Sequence, residues 1–93
     1  MKDNMNSDDL KKRTKKFAVD IILFVGSFPK TVAGYIIGKQ LIKCGTSVGA
    51  NYRAACRGRS KAEFNSKLHI VLEEADESLF WLEAIKESKI LNF

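Results

Sequence analysis

The sequence has few of the residues that interrupt helices and few that bind metals. Its single proline, Pro29, leaves long uninterrupted stretches, which favour helices. The two cysteines, Cys44 and Cys56, would lie about 18 Å apart on one helix, too far for a disulfide. Reduced thiols fit a cytoplasmic setting. The lone histidine, His69, has no CxxC or HxxxH motif near it, so we expect neither a metal nor another cofactor.

Long apolar runs are also absent. The strongest, Phe17–Phe28, contains Asp20 and is too short to span a bilayer, so no membrane partner is expected. Residues 1–16 lack the apolar segment and cleavage site of a signal peptide. The 93 residues, 45% hydrophobic and 29% charged, indicate one small globular domain over 1–93. Because so short a chain buries a modest fraction of its surface, self-association would stabilise it.

Apolar residues at 3–4 spacing predict a first helix over residues 8–28. Ser7 would cap this helix, and Pro29 would end it and begin the next one. Apolar side chains surround its second half, which predicts burial on more than one side. The main face holds Leu10, Phe17, Ile21, Phe24 and Phe28, and the other apolar residues are Val19, Ile22 and Leu23.

The stretch CGTSVGANYRAACRGRS, residues 44–60, looks like a phosphate-binding loop but lacks the required motif. A Walker loop needs GxxxxGK followed by Ser or Thr, whereas Gly38-Lys39 is followed by Gln40. The 3–4 rhythm instead continues through this stretch and predicts a second helix over 30–57. A parallel row of small residues predicts close approach of a neighbouring helix. The apolar row is Gly34, Ile37, Leu41, Cys44, Val48, Tyr52 and Ala55, and the small row is Gly38, Gly45, Gly49 and Cys56.

The segment Ser60–Glu63 matches a capping box and predicts a third helix over 61–89. Gly58 fits the left-handed residue that follows a helix. The seam of this helix predicts an all-α, antiparallel bundle. The seam consists of Phe64, Leu68, Val71, Ala75, Ser78, Leu82 and Ile85, widened by Leu72 and Leu79. A second apolar group points outward as a candidate oligomer face: Ile70, Phe80, Trp81 and Ala84.

Three segments carry a family resemblance: FPK at 28–30, TSVGANYRAACRGRSKAEFNSKL at 46–68 and EEADESLFWLEAI at 73–85. Over roughly residues 13–90 the sequence resembles the bacterial four-helix-bundle proteins called 23S rRNA-intervening sequence proteins. The resemblance implies an up-down antiparallel four-helix bundle and a homo-oligomer, with a pentamer as the expected form. It implies no enzymatic activity. Some members are encoded inside 23S rRNA genes, and one relative is an accessory protein that contacts a reverse transcriptase and nucleic acid.

Family chains continue into a fourth helix, whereas three helices are evident in this sequence, which ends at Leu91-Asn92-Phe93. The expectation from the resemblance is therefore a four-helix type of bundle with the fourth helix missing or truncated. Three helices alone would leave an apolar seam uncovered unless a neighbouring copy fills it.

Charge is unevenly distributed along the chain. Residues 1–61 have a net charge of +9, and residues 62–93 have a net charge of −4. Clustered basic residues favour phosphate backbones through counterion release. Alternatively, they form a solvated face that pairs with the acidic third helix of a neighbour. The candidates for binding RNA or DNA are Lys11, Lys12, Arg13, Lys15, Lys16, Lys39, Lys43, Arg53, Arg57, Arg59 and Lys61.

The remaining polar residues predict no catalytic site. The acidic run at 73–77 has no accompanying nucleophile or metal ligand. Ser47 and Asn51 either hydrogen-bond across the bundle to Glu74 or simply face solvent. No aromatic residue is interleaved with the basic ones, which predicts little sequence preference. Two function classes remain: an oligomer that associates with nucleic acid, RNA in the first place, or a protein-interaction scaffold for a nucleoprotein partner such as a reverse transcriptase.

Overall fold

The computed structural model describes residues 6–91, and this part of the chain forms three α-helices and no strand. Helix α1 spans Ser7–Val25, α2 spans Val32–Cys56 and α3 spans Lys61–Ser88. The predicted all-α class is therefore confirmed. Among these residues, no helix combines the length and the apolar character that a membrane span requires. Asn92 and Phe93, at the end of the sequence, lie outside the described residues.

Side-chain caps begin each helix. The Asn6 side chain accepts a hydrogen bond from the Asp9 backbone at 3.0 Å, and the Asp9 carboxylate accepts one from the Asn6 backbone. The predicted cap, Ser7, is instead the first helical residue, because Asn6 is an equally good acceptor one position earlier. The predicted cap of α3 is correct, since Ser60 Oγ accepts from the Glu63 backbone at 3.1 Å.

The turn between α1 and α2 is longer than the sequence predicts. Helix α1 ends at Val25, because the amides of Ser27 and Phe28 bond to carbonyls three residues back and tighten the chain. Pro29 lies within this turn and does not begin α2, whose cap is Thr31. The Thr31 side chain accepts from the Gly34 amide at 3.0 Å.

Gly58 does not take the left-handed conformation that its position suggested, since no glycine among residues 6–91 has a positive φ. The C-cap of α2 is Arg57, at φ −91°. A Cβ on Gly58 would lie 3.1 Å from the Phe64 amide nitrogen, so the turn requires a small residue there. The left-handed cap occurs instead at Lys89, which follows α3 with φ 56°.

Helix α2 lies between α1 and α3 and runs antiparallel to both. Along α2, Gly38 faces Val25, whereas Gly49 faces Thr14 near the start of α1. The three glycines of the predicted row of small residues, Gly38, Gly45 and Gly49, therefore contact α1. Two clusters form the core, one around Ile21, Leu41, Cys44 and Ile85, and the other around Val48, Tyr52 and Val71.

The faces of α1 and α3 turned away from α2 remain uncovered in the single chain. Leu72 and Leu79, predicted to widen the seam of α3, are 60% and 52% exposed. The predicted burial of α1 on more than one side is also absent, because Leu23 is 69% exposed. Within residues 6–91, the backbones of α1 and α3 each lie close to that of α2 and not to each other, although Ile21 of α1 and Ile85 of α3 share one core cluster. No described element lies against their far sides.

Candidate nucleic-acid interface

Predicted basic residues of α1 and α2 meet across a groove between the two helices. Lys11 and Lys15 of α1 and Arg53 of α2 line this groove, whose volume is about 260 Å³. Lys15 and Arg53 are exposed, and Lys11 is half-buried. We call this feature the basic groove. Its remaining lining residues are Ala18, Thr46, Gly49 and Ala50.

The bottom of the groove is formed by the helix backbones, because the residues of α2 there are small. A Cβ on Gly49 would lie 3.2 Å from the carbonyl carbon and oxygen of Thr14, so the two helix backbones approach closely there. Long side chains on either flank must then point outward, because no space remains between the helices. The antiparallel register places the first half of α1 beside the last turns of α2, which brings Lys15 beside Arg53.

A second hollow of about 290 Å³ continues from the basic groove toward the start of α1. Lys12 joins Lys11, Lys15 and Arg53 in lining it, and so does one carboxylate, Asp8. The charge of the continuous surface is therefore positive but not uniformly so. Four cations around a shallow concavity attract a polyanion through the summed field, and Asp8 weakens that field locally.

The other basic candidates are distributed around the bundle. Lys16 bonds to Asp20 at 3.0 Å on the exposed side of α1. Arg13 is exposed and lines neither hollow. The same is true of Lys43 and Arg57 on α2, and of Arg59 and Lys61 at the turn into α3. Of the eleven basic candidates, Lys11, Lys12, Lys15 and Arg53 are thus brought together, and Lys39 lies in another concavity.

That concavity lies at the α1–α2 turn and has a volume of about 210 Å³. Lys39 lines it together with Lys30 and Tyr35, neither of which is among the predicted candidates. Tyr35 is 64% exposed. An aromatic ring does therefore accompany the basic residues, contrary to the prediction. The signal was available in the spacing, because Tyr35 and Arg53 are 18 residues apart and five helical turns place them on the same side of α2.

The polar candidates bond within their own helices. Ser47 Oγ donates to the Lys43 carbonyl at 2.7 Å, and Asn51 Nδ2 donates to the Ser47 carbonyl at 2.9 Å. The Glu74 carbonyl accepts from Ser78 Oγ at 2.8 Å, inside α3. The donors of Ser47 and Asn51 are thus satisfied locally and do not reach the Glu74 carboxylate.

The candidate oligomer face divides into exposed and half-buried residues. Phe80 is 57% exposed and meets Trp81 edge to face, with ring centroids 5.0 Å apart. Trp81 packs against the core cluster and buries its indole nitrogen without a hydrogen-bond partner among the described residues. Ile70 and Ala84 are half-buried. Only Phe80 therefore projects fully from this group.

One titratable group stands out, and it lies in the core. Burial raises the pKa of Tyr52 above its ordinary value of 10.0, and a hydrogen bond and negative charge from Cys56 raise it further. A tyrosine with a raised pKa stays neutral and does not act as a base at neutral pH. Residues 6–91 contain no group of three His, Cys, Asp or Glu side chains placed to hold a metal ion.

The fold and site define the chain as a small antiparallel helical-bundle protein with a basic groove on its outer surface. Residues 7–93 match the sequence model of one family, the 23S rRNA-intervening sequence proteins. The chain belongs to that family. The chain is also similar to a crystal structure of a protein of unknown function from the S23 ribosomal protein family of Bacteroides thetaiotaomicron. The two share 35% sequence identity with a TM-score of 0.79, over 85% of this chain and 73% of that one. A comparison with curated proteins found no match.

Proposed function

We propose that this protein is a non-enzymatic, oligomeric helical-bundle protein that associates with nucleic acid, RNA in the first place. The observation that carries the proposal is the basic groove, where Lys11, Lys15 and Arg53 converge on a floor of small residues. Lysine and arginine side chains around a shallow concavity contact phosphates and release their counterions. The lining of the groove has no aromatic ring on which a base could stack and no amide side chain that would read an adenine. The expected binding is therefore salt-sensitive and has little sequence preference.

The family supports this ligand class, because its name links it to 23S rRNA genes. The chain's own charge gives independent support, since residues 1–61 have a net charge of +9 within a chain whose total is +5. The four cations at the basic groove and its adjoining hollow come from two helices, and Lys15 and Arg53 are 38 residues apart in sequence. Their convergence is a property of the folded chain and not of a local charge run.

Self-association is the second part of the proposal. Apolar side chains remain exposed on all three helices, including Leu23, Ile36 and Phe80. A chain of 93 residues gains stability by covering such faces with further copies. The expected number of subunits, five, comes only from the family resemblance. Repetition of the basic groove around an assembly would multiply weak phosphate contacts into avidity.

A binding titration with charge-reversed variants tests the nucleic-acid part. Fluorescence anisotropy would follow the wild-type protein and Lys15→Glu/Arg53→Glu on a labelled structured RNA at several salt concentrations. We expect the double variant to bind unrelated RNAs more weakly to a similar extent, with a salt slope lower by about two. The control, Lys86→Glu, adds a carboxylate to α3 and should bind nearly as well as the wild type.

The alternative function, a scaffold for a nucleoprotein partner such as a reverse transcriptase, predicts another result. A scaffold would show no affinity for RNA or DNA at low salt but would retain an acidic or nucleoprotein partner through its basic face. If the wild-type assembly binds no nucleic acid at low salt, the nucleic-acid proposal is refuted.

A further inference from the structure

The concavity at the α1–α2 turn combines an aromatic ring with two cations. We call it the turn groove. Lys30 and Lys39 line it with Tyr35, and no carboxylate does. Its floor is shaped by Gly34 and Gly38: a Cβ on Gly34 would overlap the Pro29 carbonyl oxygen, and one on Gly38 would lie 2.8 Å from the Val25 side chain. The ring therefore stands beside a hollow that larger residues would fill.

The chemistry of the turn groove differs from that of the basic groove. An exposed aromatic face beside cations is the arrangement on which an unpaired base stacks while flanking phosphates are neutralised. Paired bases do not present their faces, because they are stacked within the duplex. A groove of this kind therefore distinguishes single strands from duplexes, whereas the basic groove attracts either.

The two grooves lie along one side of the molecule. Tyr35 and Arg53 are both on α2, and their separation of 18 residues corresponds to five turns and about 27 Å. Lys39 and Arg57 have the same separation and so also share a direction. At about 3.4 Å per nucleotide within a duplex strand, this distance spans about eight nucleotides, and fewer for an extended strand. One single strand can therefore occupy both grooves.

We propose that the turn groove binds an unpaired base of single-stranded nucleic acid, with the base stacked on Tyr35 and its flanking phosphates contacted by Lys30 and Lys39. This inference rests on the proposed association with nucleic acid and specifies its ligand: a single-stranded segment that runs along α2 from the turn groove to the basic groove.

A competing use of the same face is a contact with a second copy. Val32 and Ile36 are 75% and 55% exposed on the first turns of α2, near Tyr35. An apolar subunit contact would need the bulk of Tyr35 but not its aromaticity. Leucine at position 35 would preserve such a contact and remove stacking, so this substitution separates the two uses.

The test measures the affinity of the full chain for a labelled 12-nucleotide single strand and for the duplex of the same sequence. Tyr35→Ala and Tyr35→Leu should weaken single-strand binding by about 5- to 150-fold, the range expected when one base stack is lost. Tyr35→Phe should stay near the wild type. Duplex binding should change little in all three variants. Because Tyr35 is exposed, these substitutions leave the core intact.

Each other outcome overturns the inference. If Tyr35→Leu binds the single strand as well as the wild type, apolar bulk matters and stacking does not. If all three variants match the wild type while Lys15→Glu/Arg53→Glu binds weakly, the proposed function survives and the turn groove has no part in it. If the wild type binds neither probe, the proposed function and this inference fail together.

Discussion

The backbone of Gly49 in α2 rests against the backbone of Thr14 in α1. A Cβ at position 49 would lie 3.2 Å from the Thr14 carbonyl carbon, its oxygen and the side-chain Oγ1. Two of these three atoms belong to the main chain and cannot rotate away. The contact therefore fixes the spacing of α1 and α2, and with it the floor of the basic groove.

Enlarging Gly49 should therefore destabilise the protein. Although glycine is a poor helix former, by about 1 kcal/mol relative to alanine, Gly49→Val would force α1 away from α2. Overpacking of this kind costs about 1–3 kcal/mol. Thermal or urea denaturation followed by circular dichroism should show a lower free energy of unfolding.

The matched control for this substitution is Gly26→Ala. Gly26 is exposed, with φ −59° and ψ −20°, a conformation that alanine adopts freely. A Cβ there would lie 3.2 Å from the Leu23 carbonyl oxygen, but this atom is three residues back on the same helix and no second helix has to move. Alanine there should raise the free energy of unfolding by about 0.4–1 kcal/mol, because it restricts the unfolded chain. A stabilising Gly49→Val would show that the two helices can separate at no cost, against the close contact described.

Periodicity predicts most of this fold and little of its site. The apolar and small rows of α2 follow from spacing alone, because a helix places such residues on adjacent faces. The proximity of Lys15 and Arg53 cannot be predicted from spacing, because it depends on the register between α1 and α2. The exposure of Leu79 could not be predicted from the sequence pattern either, because an apolar residue is buried only where another element covers it. The choice between Asn6 and Ser7 as the cap of α1 could not be predicted either, because both side chains carry an oxygen that accepts a hydrogen bond from a backbone amide.

Stability at alkaline pH should depend on Tyr52. Its pKa in the folded chain is raised above 10.0, chiefly by burial and further by Cys56. As the pH rises past about 10, the unfolded chain releases this proton while the folded chain retains it, so the free energy of unfolding falls. Below that pH the contribution of Tyr52 is constant.

Comparing Tyr52→Phe with the wild type isolates this effect. Urea denaturation at pH 8 and at pH 11 should show a larger loss of stability for the wild type than for the phenylalanine variant, which has no proton to release. Other groups titrate in the same range but do so in both proteins. An equal loss in the two proteins would mean that Tyr52 ionises as readily when folded as when unfolded.

The exposed apolar side chains predict that a charge on α3 will disturb self-association. Phe80→Glu places a carboxylate on a residue that is 57% exposed, so it should leave folding largely unchanged while shifting the assembly to smaller species. Multi-angle light scattering at micromolar concentration measures this change. Lys86→Glu also places a carboxylate on α3, with a net charge change of −2 instead of −1, and should leave the mass unaltered. A wild-type protein that is monomeric at that concentration contradicts the prediction of a homo-oligomer, and a dimer contradicts only the number five.

Removing the negative charge of Asp8 should strengthen RNA binding, whereas the lysine and arginine variants should weaken it. It is exposed and lines the hollow that Lys11, Lys12, Lys15 and Arg53 also line. A carboxylate at this position repels an approaching phosphate, so Asp8→Asn should tighten RNA binding, by about two- to threefold at low salt. The substitution also removes a favourable charge from the first turn of α1 and should cost about 0.3–1 kcal/mol of stability.

The control for this prediction is Asp76→Asn, which removes an exposed carboxylate from α3 and should leave affinity closer to that of the wild type. If both variants bind RNA equally tightly, only net charge matters, and the hollow beside the basic groove is not where the phosphates lie.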